Sequence, residues 1–498
     1  MTLLRRISLS FVFIILGSFL AYLFRRMLAV NLSVSDYGLI YAIIGFFSFV
    51  MLFIDLGLEQ AATKYIVEFR VKKDFDSIRS LAFSVLGFQI ICSFIFFIIV
   101  FLFSEQLAAS YFHNQYAGEY LIIIGIWFFT SPLIMFVSYI LLGFERTTWY
   151  TAIDFFRMVV LLAITYTLLS INKGIYAPLI GYAFVNILLF SVYIPYVLSF
   201  FPHLIKRTQF FSYTQFKRVF SYGILIAFTN FGWIIITQTD MLLLMYLTTT
   251  YDVGLYAVAL PISLLLLFFM RPINIVFAPL VAQYAAEKKE KELAETISTA
   301  YKYAFVILLP FALCFITFPE FIIPILFSQK YAAAAPALQI LAAGTLFYSF
   351  SLFNSIIFTG TGKAKFMASV VGIVSLLNII FNLFLIPKYG ITGAALSTSI
   401  SYLLLFIIST GYISKHVSLK FPFSCWLKSL LCSLITIGSI FVIKHYMIWN
   451  NLAEAMVCGS SLFLVYFFLI FIVKALQFQE IKSLFISKIQ VYFKRQTL

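Results

Sequence analysis

Seven charged side chains fall inside or at the ends of apolar runs long enough to cross a bilayer: Arg25, Arg26, Asp55, Asp154, Arg157, Asp240 and Arg271. A charge at the bilayer centre costs about 2.5 to 3.5 kcal/mol on insertion scales, so each of these residues is a functional candidate by default. Arginine brings a specific chemistry to such a place. Its planar fork donates paired hydrogen bonds to phosphate or carboxylate oxygens, and its charge persists at any physiological pH.

Arg25 and Arg26 lie far along the first apolar run, Ser8 to Val30. They can snorkel to the outer headgroups, or one of them can line a polar cavity and hold an anion. Neighbouring residues on a helix point about 100° apart, so the two cannot both face squarely into one narrow cavity. The expectation is a single inward arginine. Arg271 stands immediately before Pro272, where the helix hydrogen-bond ladder is interrupted, and is a second cavity candidate. Its alternative is an ion pair with Asp55 or Asp154.

Asp154 and Arg157, three residues apart, share a helix face and can neutralise each other, or Arg157 can meet a substrate. Asp240 can pair with Arg25 or Arg26 as a latch on an outward gate. Asn378 and Asn382, four apart, suit sugar hydroxyls or interhelical hydrogen bonds, and Asn230, Gln238 and Asn354 are further polar marks on apolar runs. The candidate substrate-binding residues are therefore Arg25, Arg26, Arg271, Arg157, Asn378 and Asn382, with Asp55, Asp154 and Asp240 as gating or ion-pair residues.

The elements that must position these side chains are membrane helices. Of 498 residues, 63% are hydrophobic and 11% charged, which no soluble domain matches. Apolar runs predict helices near 7–30, 38–62, 80–103, 119–143, 152–170, 176–200, 221–248, 254–281, 301–318, 335–360, 365–386, 392–413, 426–446 and 453–473. The first is too long for a signal-peptide core and lacks a cleavage site, so it is expected to be retained. Cys92, Cys314, Cys425, Cys432 and Cys458 lie in apolar runs with no CxxC spacing, and His113, His203, His416 and His445 are scattered, so neither disulfide nor metal is expected.

With the N-terminus cytoplasmic, 26 of the 34 Lys and Arg fall on the inner side and four on the outer side, namely Lys173, Lys330, Lys388 and Lys444; the other four are the helix-borne arginines. Both termini are then cytoplasmic. The net charge of +15 follows from membrane orientation and needs no nucleic acid.

The chain repeats itself. Asp36-Tyr37-Gly38-Leu39 recurs as Asp252-Val253-Gly254-Leu255, Gly143 answers Gly360, and Lys173-Gly174-Ile175 answers Tyr389-Gly390-Ile391, all at an offset of about 216 residues. An offset spanning an even number of helices makes a parallel repeat, with its axis along the membrane normal. The expected domains are an N-lobe over 1–200, a cytoplasmic linker over 201–220, a C-lobe over 221–413, a further helix pair over 414–473 and a basic cytoplasmic tail over 474–498. Such architecture implies alternating access at a midplane cavity.

These residues resemble the multidrug/oligosaccharidyl-lipid/polysaccharide exporter superfamily, and most its polysaccharide-transporter branch. The resemblance rests on Ser35-Asp36-Tyr37-Gly38-Leu39, Asp55-Leu56-Gly57-Leu58, Asp240 followed by Asp252-Val253-Gly254-Leu255-Tyr256, Pro279, and Gly390-Ile391-Thr392-Gly393-Ala394-Ala395. It implies an all-α protein of about 14 membrane helices that moves a polyprenyl-diphosphate-linked oligosaccharide between leaflets for cell-surface polysaccharide biosynthesis. A cationic cavity would take the diphosphate, with Arg25 at the basic first-helix position. The expected partners are that glycan lipid, the bilayer of the plasma membrane, and the glycan polymerase and glycosyltransferases of the same pathway.

Drug exporters of the superfamily often carry an acidic residue in the first helix; this one has two arginines instead, which counts against cation-coupled drug export as the primary reading. A membrane glycosyltransferase or polymerase would need a long loop or a catalytic domain. The longest expected outer loop, Ser104 to Gly118, is too short for either. No nucleotide-binding, metalloprotease or nucleophile-elbow motif occurs, so no chemical step and no cofactor are expected.

Overall fold

The computed structural model describes residues 3–206, 210–446 and 463–473. Arg207 of the expected linker, the side chains of Asn230, Lys444 and His445, Cys458, the first part of the expected last helix and the 474–498 tail lie outside what is described. Among the described residues the chain is helical, with no strand. In order the α-helices are α1 (Leu3–Asn31), α2 (Val34–Asp55), α3 (Leu58–Val71), α4 (Phe75–Leu102), α5 (Ser104–Ser110), α6 (Ala117–Gly143), α7 (Thr147–Ser170) and α8 (Tyr176–Phe200). They continue as α9 (Tyr213–Leu247), α10 (Thr250–Leu264), α11 (Leu266–Ala286), α12 (Glu290–Thr317), α13 (Pro319–Leu326), α14 (Ala335–Gly360), α15 (Ala364–His416) and α16 (Phe423–Tyr446), followed by α17 (Phe463–Ile472).

Ten of the described spans are long and apolar enough to cross a membrane. One of them, α15, is a hairpin of two: Gly390 breaks it at φ 54° and ψ −128°. A Cβ on Gly393 would lie 2.2 Å from the Leu385 carbonyl oxygen, so the chain doubles back on itself across this turn. With three shorter apolar helices, Ile234–Leu247, Phe423–Ser439 and Phe463–Ile472, the described elements account for the fourteen expected. The protein is an all-α, multi-pass membrane protein.

Two boundaries differ from the periodicity reading. The second expected helix, 38–62, is broken at Leu56 and Gly57, both left-handed, so that Asp55 ends α2 and α3 leaves in a new direction. The eighth, 254–281, starts earlier and ends later, as one span over Thr250–Ala286 in which Leu265, between α10 and α11, keeps right-handed helical angles. Apolar composition marks a span but is blind to a two-residue break inside it.

By internal contacts the described chain forms two compact units. The first comprises Met1–Val258, Leu326–Ala334 and Val371–Thr398; the second comprises Ala259–Ile325, Ala335–Val370 and Ser399–Leu498. In the first, α6 packs on α8, α4 and α3, and α1 on α7. In the second, α11, α12 and α14 pack on one another, with α16 against α12.

Within the first unit the internal repeat has a physical meaning. At the start of α2, Ser33 Oγ accepts from the Asp36 N–H (3.0 Å) and donates to Asp36 Oδ2 (2.7 Å). At the start of α10, Thr249 Oγ1 accepts from the Asp252 N–H (3.3 Å) and donates to Asp252 Oδ2 (3.1 Å). Both are reciprocal N-caps that satisfy an otherwise orphaned amide. Two residues beyond each of these aspartates sits a glycine, and the two glycines meet. A Cβ on Gly38 would fall 1.9 Å from the Thr250 carbonyl oxygen, and one on Gly254 would fall 2.2 Å from that of Val34. Only glycine lets the backbones approach so closely, and close backbone packing is what holds membrane helices together where lipid removes the hydrophobic drive.

Residues that lead out of α8 are also pinned to this unit. Arg79, fully buried at the start of α4, donates from Nε to the Leu204 carbonyl (3.0 Å), and its guanidinium lies 3.9 Å from the Phe210 ring centroid. The Ser212 N–H donates to Ser84 Oγ (3.1 Å). Leu204, Phe210 and Ser212 of the expected linker region are thus seated on α4, with a short 3-10 turn over Pro202–Ile205 on one side and the first turns of α9 on the other.

Candidate functional site

The helix α1 sorts its two arginines by face. Arg25 shares a stripe with Leu28 and Ala29, both fully buried, whereas Arg26 shares one with Phe19 and Val30, about half exposed. Arg25 turns inward. Its guanidinium lies 4.6 Å from the Tyr41 ring centroid, and Nη1 donates a long hydrogen bond, 3.5 Å, to the Ala257 carbonyl. Tyr37 and Tyr182 complete its electrostatic surroundings.

A guanidinium has five N–H donors. One weak carbonyl contact and a ring face leave most of that capacity unspent. Beside it the Tyr37 and Tyr41 rings are 4.6 Å apart, and the Tyr331 ring lies 5.5 Å from Tyr37. Tyr37 and Tyr331 are fully buried, and the Tyr331 hydroxyl lacks a hydrogen-bond partner among the described residues. Buried polar groups are normally satisfied, so an idle hydroxyl beside an underused cation and the Tyr37 and Tyr41 hydroxyls forms a donor-rich pocket matched to an anion.

Asp240 is satisfied differently. It is 1% exposed and accepts from Tyr256, from Thr398 and, at 2.7 Å, from Asn382 Nδ2. Asn382 Nδ2 also donates to Asn378 Oδ1 (3.2 Å), and Asn378 Nδ2 donates to Thr398 Oγ1 (3.5 Å). The hairpin at Gly390 brings Asn378, Asn382 and Thr398 together. The latch expected between Asp240 and Arg25 or Arg26 is not formed, because neutral donors surround the carboxylate and Arg25 is directed to Tyr41 and Ala257.

The amide donors of Asn378 and Asn382 are committed inside this cluster, while Asn382 Oδ1 is buried without a partner among the described residues. One carboxylate among neutral oxygens is the donor set of a proton or an alkali cation rather than of a transition metal. Among the described residues no three His, Cys, Asp or Glu gather as metal ligands.

The remaining candidates lie elsewhere. Arg157 Nη1 donates to Asp154 at 2.9 Å, with the Asp154 side chain 74% exposed. Asp55 Oδ1 accepts from the Glu59 N–H (3.1 Å), capping α3 across the break. Glu59, which no sequence motif marks, is an electrostatic neighbour of Asp55, Arg157 and Asp154. Arg271, in the second unit, is exposed, 5.9 Å from the Phe268 ring centroid. Asn354 is a packing residue: it accepts from Tyr301 and donates to Ser409 (2.7 Å) and Thr410 (2.9 Å).

The fold is one shared with a solved transporter of the MOP superfamily and with a solved lipid flippase. Among solved structures the chain is similar to the lipid II flippase MurJ in an inward closed conformation, with a TM-score of 0.76, 20% identity and coverage of 94% of this chain and 98% of that one. It is also similar to an inward-facing multidrug resistance MATE transporter of the MOP superfamily, with a TM-score of 0.59, 15% identity and coverage of 83% and 99%. The sequence matches the polysaccharide biosynthesis protein family over residues 27–336, and the chain belongs to that family.

An uncharacterized membrane protein of Methanocaldococcus jannaschii, MJ1068, is 29% identical over 94% of this chain and 95% of its own length. Agl15 of Haloferax volcanii, a probable low-salt glycan biosynthesis flippase, is 24% identical over 49% of this chain and 52% of its own length.

Proposed function

We propose that the protein is a flippase that carries a polyprenyl-diphosphate-linked glycan from the cytoplasmic to the outer leaflet of the plasma membrane, with both termini cytoplasmic. The observation that carries this reading is Arg25. It is a guanidinium in a membrane-spanning helix, with a long carbonyl contact and a tyrosine face beside a tyrosine cluster that holds the unpartnered Tyr331 hydroxyl. A diphosphate is the membrane-borne group that such a cation and its neighbouring donors recognise best. A probable glycan biosynthesis flippase of Haloferax volcanii matches about half of this chain and a lipid II flippase shares its fold, which supports the assignment.

Translocation involves no bond making or breaking, so the protein's contribution is binding and alternating exposure of the bound group. The two repeats over 1–200 and 221–413 would exchange access by rocking, and the Gly38–Gly254 seam would part as the outer side opens. Asp240 with its neutral oxygens is the place where a proton or alkali cation would couple to that cycle; this coupling role rests on its buried charge and on the idle Asn382 oxygen.

The test is deletion followed by leaflet-resolved analysis of lipid-linked sugars. Completed units accumulating on the cytoplasmic leaflet, restored by the wild-type chain and not by Arg25→Ala, are the expected result. Incomplete glycans would point to an enzyme, and drug sensitivity alone to an exporter.

A further inference from the structure

The turn Leu326–Ala334 has an unusual place in the chain. It belongs to the first compact unit, while the segments on either side of it, Ala259–Ile325 and Ala335–Val370, belong to the second. Three contacts seat it on α1. Tyr22 Oη donates to the Leu326 carbonyl (2.8 Å), and the Tyr22 and Phe327 rings meet edge to face at 6.1 Å. Lys330 Nζ donates to the Val30 carbonyl (3.0 Å) and the Leu32 carbonyl (3.4 Å), at the end of α1 where unpaired carbonyls concentrate negative charge.

The same turn delivers Tyr331, fully buried, into the tyrosine cluster, with its hydroxyl unpartnered. A side chain carried there by a surface turn could have left its hydroxyl in water at no cost. Burying that group unpaired is costly unless something accepts its proton.

We propose that Leu326–Ala334 is the outer lid of the Arg25 pocket, and that Tyr331, with Tyr37, is a ligand-binding residue whose hydroxyl donates to the phosphate oxygens that Arg25 holds. Occupancy and closure are then one event. With the lid down, an anion gains Tyr331 as a donor; when Lys330 and Tyr22 release the turn, that donor is withdrawn and the anion is exposed for exit. The lid is tied covalently at both ends to the second unit, so the state of that unit is transmitted to the pocket through a strap of nine residues. This inference rests on the flippase reading for the identity of the anion, but not for the existence of the lid.

The experiment uses the full-length chain in sealed vesicles of known orientation. Ala257→Cys serves as the reporter, because residue 257 is buried and its backbone carbonyl, which the substitution keeps, is what accepts from Arg25. Lys330→Gln with Tyr22→Phe should raise the rate of labelling by a membrane-impermeant maleimide from the outer side about tenfold, and Lys330→Arg, which keeps the cation at the helix end, should leave it unchanged. An unaltered rate in the double variant overturns the lid.

Inorganic pyrophosphate is the binding probe. Tyr331→Phe should weaken its protection of the reporter about fivefold to tenfold while the labelling rate without it stays at the parent value; unchanged protection overturns the binding role of Tyr331. If Arg25→Ala leaves glycan export intact while the double variant still labels faster, the flippase reading fails and the lid stands.

Discussion

Arg25, half-buried, and Asp240, buried, are charges in the same compact unit, and they are satisfied in opposite ways. Asp240 accepts from three neutral side chains and sits in a polar network with Asn378. Arg25 has a 3.5 Å carbonyl contact, a ring face and the idle Tyr331 hydroxyl in the neighbouring tyrosine cluster. A charge whose partners are built in is part of the scaffold or of a coupling step. A charge whose partners are missing awaits a ligand, because its desolvation is otherwise poorly compensated. The contrast separates the two roles that sequence alone leaves open to every intramembrane charge.

The largest expected effect comes from the unspent cation. Loss of a bidentate charge-assisted contact, about 3 kcal/mol, corresponds to roughly a hundredfold loss of transport. Arg25→Ala should therefore reduce export about a hundredfold per folded molecule with little change in thermal stability, and a fall in both together would place Arg25 with the scaffold. Asp240→Ala should do the reverse in part: it strands buried donors and should destabilise the fold by about 3 kcal/mol, read as a lowered melting temperature in detergent. Asp240→Asn should keep the fold and remove any dependence of export on the proton or sodium gradient; a gradient dependence that survives it would place coupling elsewhere.

Arg79 sharpens the comparison, since it is a buried guanidinium that donates to a backbone carbonyl and meets ring faces. Its carbonyl bond is 3.0 Å rather than 3.5 Å and fastens Leu204 to α4. Arg79→Ala should cost about 1 to 3 kcal/mol of stability while export per folded molecule stays near the parent value. Gly38→Ala and Gly254→Ala, each placing a Cβ against backbone, should cost a similar ~1–3 kcal/mol in the state that packs them. The smallest effect should be that of Arg26→Ala, whose stripe is half exposed, with export within a factor of two of the parent.

Much of the scaffold is legible in the sequence because the bilayer dictates it. Span lengths, the one-sided lysines and the offset of about 216 residues predict the helices and the repeat. The Gly390 turn sits where two apolar runs had to be separated. The paired caps at Ser33–Asp36 and Thr249–Asp252 follow from ordinary N-cap chemistry, but the contact between Gly38 and Gly254 does not, since a repeat offset says nothing about which copies touch.

The site was legible only in its charges. Arg25 stands out because a cation in lipid is costly, whereas Tyr37, Tyr41 and Tyr331 are three of 30 tyrosines in a chain with 61 phenylalanines, so aromatic identity singles out none of them. The lid was hidden for another reason. Tyr22 meets Leu326 at a separation of 304 residues and Lys330 meets Val30 at 300, distances at which no local pattern operates. Arg79 counted as one more inner-loop cation, and Asn378 and Asn382 as sugar ligands or packing residues. Their common partnership with Asp240 and Thr398 depends on a hairpin whose register the apolar pattern does not give.

The central claim is that Arg25 is the unsatisfied charge that holds the diphosphate. The most direct measurement is the leaflet distribution of the lipid-linked glycan in cells whose only copy of the protein is Arg25→Ala, expressed and folded at the parent level. The account predicts completed glycan lipid retained on the cytoplasmic leaflet, with Arg26→Ala cells indistinguishable from the parent. Normal appearance of the glycan on the outer leaflet in Arg25→Ala cells would contradict it.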